Sequence, residues 1–207
     1  MYDHQQTASE DKRLRIIEGA IKVFSQQGFY KAKIEEIAEQ AGVGKGTVYE
    51  YFASKEELFL EMFLYIEKKC RETVQRELSG VSAFSDKLQR MFVVIMRFLR
   101  DHREMGKILF AGSPPVSEDT QRVLREKNQK MLDDLSGMLE EAAAKGEIRP
   151  VNVGVAAHVI FGTLLFVAAQ ALFSEDEGLD YNRLAQEING VFLQGLGLAE
   201  RRPGRSS

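Results

Sequence analysis

The 207 residues suffice for one sizeable core or two small ones, and few prolines with almost no alternating β-branched runs exclude a sandwich or barrel. A net charge of -3 excludes a wholesale polyanion binder, and a single cysteine excludes an intrachain disulfide, which suits a reducing cytoplasm. An all-α protein is the expectation.

In chain order, the start MYDHQQTASED lacks the apolar stretch of a signal peptide and reads as a disordered arm over residues 1–9. The first helix begins after Ser9, carries Leu14, Ile17, Ala20, Ile21 and Phe24 on one face, and stops at Gly28. A short amphipathic helix follows from Ile34 to Ala41, with Ile34, Ile37, Ala38 and Ala41 inward. Gly42 and Gly44 bracket Val43 in a tight turn where glycine can take a positive φ. The segment Lys45 to Phe52 is too short to stand alone, since isolated helices below about 12 residues are marginal. Val48 and Phe52, four apart, anchor it and leave Lys45, Thr47, Tyr49, Glu50 and Tyr51 on the outer face. Ser54, with Glu57 three residues on, is a capping-box start for the next helix near Lys55.

Helix, glycine turn, helix is the outline of a helix-turn-helix, whose second helix enters the major groove. Lys45 and Thr47 then donate to base edges, Tyr49 and Tyr51 meet phosphate, sugar and thymine methyls, and Lys55 clamps a phosphate. Up to Lys55 the chain holds eight Lys and Arg against eight Asp and Glu, so DNA binding depends on placement. Lys12, Arg13, Lys31, Lys33, Lys45 and Lys55 are expected together on one side.

These residues resemble the N-terminal domain of TetR-family transcriptional repressors, whose pattern is a Gly-aromatic pair and then IxxIAxxAGVxxGTxYxYFxSKExL. The chain carries Gly28-Phe29, Ile34, Ile37-Ala38, Ala41-Gly42-Val43, Gly46-Thr47, Tyr49, Tyr51-Phe52, Ser54-Lys55-Glu56 and Leu58. The resemblance implies DNA contacts at Lys33, Gly44, Lys45, Gly46, Thr47, Tyr49, Glu50, Tyr51 and Lys55. Three positions depart from it. Lys33 replaces the usual capping Ser or Thr, at a cost near 1 kcal/mol, yet can reach a phosphate. Gly44 replaces another capping Ser, and Glu50 brings a carboxylate that can accept from cytosine N4.

Beyond residue 55 a connecting helix runs through Leu58, Met62, Tyr65, Ile66 and Cys70 toward Leu78, so the expected domains are 1–54 and 55–207. A fifth helix carries Leu88, Met91, Phe92, Ile95, Phe98 and Leu99, and a sixth spans Asp101 to Ala111. Gly112-Ser113-Pro114-Pro115 forces a loop before a long seventh helix from about Glu118 to Lys145. Val153 to Phe173 has no formal charge over 21 residues, long enough to cross a bilayer. It lacks flanking basic clusters, so it is read as a buried or subunit-interface helix, capped by Asn152, with no membrane partner. A ninth helix begins at Asp180 and gives way to the basic tail RRPGRSS.

The resemblance further implies a homodimer through the last two helices. There Gly154, Ala157, Gly162, Ala168 and Ala169 permit close approach, and Leu165, Phe166, Val191 and Leu196 fill the seam. Two reading heads then meet an inverted-repeat operator with half-sites about one DNA turn apart. It also implies a pocket for a small hydrophobic effector. Its expected lining is Phe92, Ile95, Met96 and Leu99 from the fifth helix, and Leu109 and Phe110 from the sixth. Met131, Leu135 and Met138 come from the seventh, with Phe161, Leu164 and Leu165 from the eighth. Arg97, Arg100 or Arg103 would meet an anionic head if the effector is fatty acyl. No Ser-His-acid set, phosphate loop, paired carboxylates or metal-ligand cluster stands out, and His102 and His158 are isolated. Hence no catalytic residue, metal or cofactor is expected.

Overall fold

The computed structural model describes residues 2–110, 118–174 and 179–196, side chains at 1–8, 109–110, 119–120 and 196 excepted. Among these there is no strand. The helices are α1 (Tyr2–Lys31), α2 (Ile34–Ala41), α3 (Lys45–Tyr51), α4 (Lys55–Leu78), α5 (Phe84–Asp101), α6 (Arg103–Phe110), α7 (Glu118–Ala144), α8 (Val153–Phe173) and α9 (Tyr181–Leu196). The all-helical expectation holds.

Residues 2–9 are helical and continue α1, which corrects the disordered arm. No glycine or proline interrupts that stretch to stop a helix from propagating backward. Gly28 does break α1, at φ 74° and ψ 170°. The tail, the Gly-Ser-Pro-Pro loop and the Leu196 side chain lie outside the described residues.

The chain forms two compact units, 1–73 with 98–123, and 74–97 with 124–207. This division differs from a boundary at 54/55. Its cause is burial, since Leu58, Phe59, Met62 and Ile66 of α4 share one core with Ile16, Phe24, Ile37, Val48 and Phe52, and Ile108 of α6 joins them. In that unit α1 crosses α2 closely at Gly19, where an added Cβ would sit 3.0 Å from the Ile37 carbonyl oxygen and 3.1 Å from the Ala41 nitrogen.

The second unit packs Leu88, Phe92 and Met96 of α5 on Leu135 and Leu139 of α7, and on Ile160 and Leu164 of α8. Asn152 caps α8, accepting from the Val155 N–H at 3.1 Å, and Asp180 caps α9. Only one side of α8 is covered within the chain. Ala157, Ile160, Leu164 and Ala168 are buried, whereas Val155, Val159, Leu165, Phe166 and Phe173 are exposed, as is Val191 on α9. Ala157 therefore packs into the unit's own core and not into an outward seam, and Ala168 is likewise covered within the chain.

Candidate DNA-binding surface

The turn between α2 and α3 is built as a Schellman cap. Gly42 sits at φ 65° and ψ 39°, its N–H donates to Glu39, and the Val43 N–H donates to Ala38 at 3.0 Å. Gly44, in contrast, is extended at φ -75° and ψ 154°, so only Gly42 uses the left-handed region. Gly44 serves as the N-cap of α3 with no side chain to accept a backbone N–H. At the start of α2, Lys33 leaves the same gap, because its ammonium only donates. Half of a capping box survives there, with the Glu36 carboxylate accepting from the Lys33 N–H at 3.3 Å.

Helix α3 is held by Val48 and Phe52, both about 1% exposed, as the four-residue spacing predicts. Lys45, Gly46, Tyr49 and Glu50 face outward and Thr47 is half-buried. A Cβ at Gly44 or Gly46 would meet nothing within 4 Å, so neither glycine is required by packing inside the chain.

Several of the expected DNA-contacting groups already have partners. Lys45 Nζ donates to Glu35 Oε1 at 2.6 Å and lies 6.0 Å from the Tyr49 ring centroid. The hydrogen bond from Lys45 holds the Glu35 carboxyl below its ordinary range, and the same bond raises Lys45. Tyr51 pairs its hydroxyl with Ser9 Oγ at 3.1 Å. Lys55 Nζ donates to the carbonyls of Phe29 at 2.9 Å and Ala32 at 3.2 Å. Arg13, expected on the basic side, bonds Glu61 and stacks 5.3 Å from the Phe52 ring centroid. Lys33 is exposed and makes no ion pair among the described residues. The surface is thus less basic than a count of its lysines. Glu35 was invisible to sequence reasoning, because its partner lies ten residues on, across the α2–α3 turn.

Ser54 accepts the Glu57 N–H at 3.1 Å, and Glu57 reaches back to the Ala53 N–H at 2.6 Å. The predicted box therefore starts α4, with its return bond one residue further out.

Most of the expected effector-pocket side chains pack as a core. Phe92 and Met96 are fully buried and Leu135 and Leu164 nearly so, with Ile95, Met138 and Phe161 half-buried against them. Met131 is half-buried and Leu165 is 42% exposed on the open side of α8. Leu99 is buried but belongs to neither core cluster, and the side chains of Leu109 and Phe110 lie outside the described ones. A depression of about 450 Å³ lies elsewhere, beside Arg149, Asn152, Val155, Val159 and Phe192. One polar group enters the second core unforeseen. Asn189 donates to the Ser85 carbonyl at 3.0 Å while its buried Oδ1 has no partner. Arg97 donates to Asn182 at 3.3 Å, and Arg100 pairs with Asp101.

A capped α2, a left-handed glycine and a short outward-facing α3 on one core define a helix-turn-helix DNA-binding domain. Residues 16–62 match the model of bacterial regulatory proteins of the tetR family, and residues 82–195 match the tetracyclin repressor-like C-terminal domain. The chain belongs to the TetR family and is a DNA-binding transcriptional regulator. It is 28% identical over 197 residues to the fatty acid metabolism regulator protein of Bacillus subtilis, covering 89% of this chain and 95% of that one. It is also 28% identical over 152 residues to the uncharacterized HTH-type regulator YhgD of the same organism, covering 73% of this chain and 80% of that one. The crystal structure of Bacillus subtilis FadR in complex with stearoyl-CoA superposes with a TM-score of 0.75 at 23% identity, covering 88% and 98% of the two chains.

Proposed function

We propose that this chain is a repressor that binds an inverted-repeat operator as a homodimer and is released by a small hydrophobic effector of the fatty acyl class. The observation that carries the DNA half is α3 itself. It has two buried anchors and an outer face of Lys45, Thr47, Tyr49 and Glu50, with Gly44 and Gly46 allowing the backbone to come close to a duplex. Lys33 and the third N–H of Lys55 supply phosphate contacts beside it.

The homodimer reading draws on the open side of α8, where Val155, Val159, Phe166 and Phe173 repeat at helical spacing beside Val191. A second copy related by a two-fold axis covers such a face with the same residues. Helix α8 is also long and apolar enough to cross a membrane. The half of it that packs into the chain's own core favours the dimer, and recovery as a dimer without detergent is the expected outcome. The acyl class is taken from the fatty acid regulator named above, and the Phe and Met side chains of α5, α7 and α8 would have to part to admit the chain. Regulation of this kind requires no catalytic residue, metal or cofactor.

The test is selection of bound duplexes from a random pool by the full chain, followed by titration of the complex with long-chain acyl-CoA. An inverted repeat is expected to emerge, and acyl-CoA is expected to lower its affinity tenfold or more. No enriched sequence would overturn the DNA reading, and an enriched operator indifferent to acyl-CoA would overturn the effector class alone.

A further inference from the structure

An exposed carboxylate beside the N-terminal end of a recognition helix is costly near phosphate, and Glu35 is one. It is the second residue of α2, and its carboxylate takes the ammonium of Lys45, the first residue of α3, at 2.6 Å. As a first-turn acid whose carboxyl also takes a backbone N–H, Glu35 helps the start of α2, but that role needs no partner on α3. Glu36 already accepts the Lys33 backbone N–H at the start of α2, and an exposed pair of this kind adds little to folding.

We propose that Glu35 is a specificity-determining residue that converts Lys45 from a phosphate-binding cation into a reader of base edges. The inference rests on the DNA-binding reading above. A free lysine at that position condenses on any phosphate and adds affinity without sequence information. Paired with Glu35, the two side chains together carry no net charge, so the pull toward phosphate is cancelled. The ammonium keeps two further N–H donors, which suit the neutral O6 and N7 acceptors of guanine in the major groove. The Tyr49 ring on the other side narrows the directions the stem can take. The hydrogen bond that lowers the Glu35 carboxyl and raises Lys45 keeps both ionised across the physiological range, so the pair persists where the protein works. Glu35 is in this sense a positioning residue that acts through Lys45.

The experiment compares wild type, Glu35→Gln, Lys45→Met and the double variant. Each is titrated with the duplex enriched by wild type and with a scrambled duplex of equal length, across a range of salt. Glu35→Gln is expected to bind the scrambled duplex several-fold tighter and to steepen its salt slope by about one. The ratio of enriched to scrambled affinity is expected to fall by about tenfold, one good base contact being worth that much. In the Lys45→Met background the same substitution is expected to leave that ratio unchanged. Melting temperatures within about 2 °C of wild type exclude a structural cause. An unchanged ratio in Glu35→Gln, or an equal change in both backgrounds, overturns the role of Glu35 and leaves DNA binding standing. If wild type enriches no duplex, both readings fail together.

Discussion

The Lys55 ammonium lies 4.5 Å from the centroid of the Phe29 ring and donates to the Phe29 carbonyl at 2.9 Å. Helix α1 ends at Lys31, so the Phe29 carbonyl in its last turn and the Ala32 carbonyl in the link lie beyond its regular bonding, and Lys55 bonds both. The residue placed by its motif at a phosphate therefore also ties α4 to the end of α1. Lys55→Met keeps the stem over the ring and removes both bonds, so it is expected to destabilise the protein by about 1 to 3 kcal/mol. Urea denaturation measures this directly. If Lys55 served phosphate alone, operator affinity would fall with no change in the midpoint.

Gly19 has no motif to mark it, yet a Cβ there would press on backbone atoms of α2 at 3.0 and 3.1 Å. Alanine is the better helix former by about 1 kcal/mol, so local propensity alone predicts a gain. Backbone atoms cannot swing aside as a side-chain tip does, and Gly19→Val is expected to cost about 2 kcal/mol or more by overpacking. A melting temperature equal to wild type would show that the two helices separate freely.

What was legible in the sequence follows the range of the forces involved. The Gly42 turn, the Ser54 cap and the Asn152 cap rest on bonds within a few residues, and each stands where its spacing put it. The burial of Val48 and Phe52 needed only helical periodicity. Lys55, Arg13 and Glu35 were not legible in the same way, because their partners lie 23 to 48 residues away or across a turn whose angle no local rule supplies. A lysine seen as a free charge in sequence becomes a half-neutralised donor once packing brings a carbonyl or carboxylate beside it. The same limit put Ala157 in an outward seam. Composition says that α8 is apolar all round, but not which side its own chain covers.

Gly46 is exposed in the first turn of α3, and nothing lies within 4 Å of where its Cβ would be. Gly46→Ala is expected to raise stability by up to about 1 kcal/mol through helix propensity. Operator affinity is expected to fall at least about fivefold if DNA backbone comes close at this point. The opposed directions are diagnostic, because loss of folding cannot explain weaker binding by a more stable protein. Equal affinity would place the duplex away from Gly46.

Phe166 is 65% exposed at the middle of the open side of α8. A glutamate there would place charge in an apolar two-fold contact, where it meets its own copy. Phe166→Glu is expected to sediment as a monomer at about 10 µM, where wild type sediments as a dimer. Its operator affinity is expected to fall tenfold or more, since one head reads only half of an inverted repeat. A dimeric variant would move the interface off this face.

Cys70, on α4, has its thiol pushed up to about 12, chiefly by burial, with the Glu67 carboxylate adding to the effect. The thiolate is the reactive form, so at pH 8 alkylation of the folded protein is expected to run about a thousandfold slower than in urea. The sign for stability follows from the same shift. A folded value above the ordinary 9.0 favours the protonated thiol, so its contribution is present in full below pH 9 and is lost as the pH rises toward 12. Cys70 is half-buried, so the slow rate reflects scarcity of thiolate, and it should rise both with pH toward 12 and with urea in step with unfolding. Fast labelling of the folded chain at pH 8 would mean that the thiol is not raised.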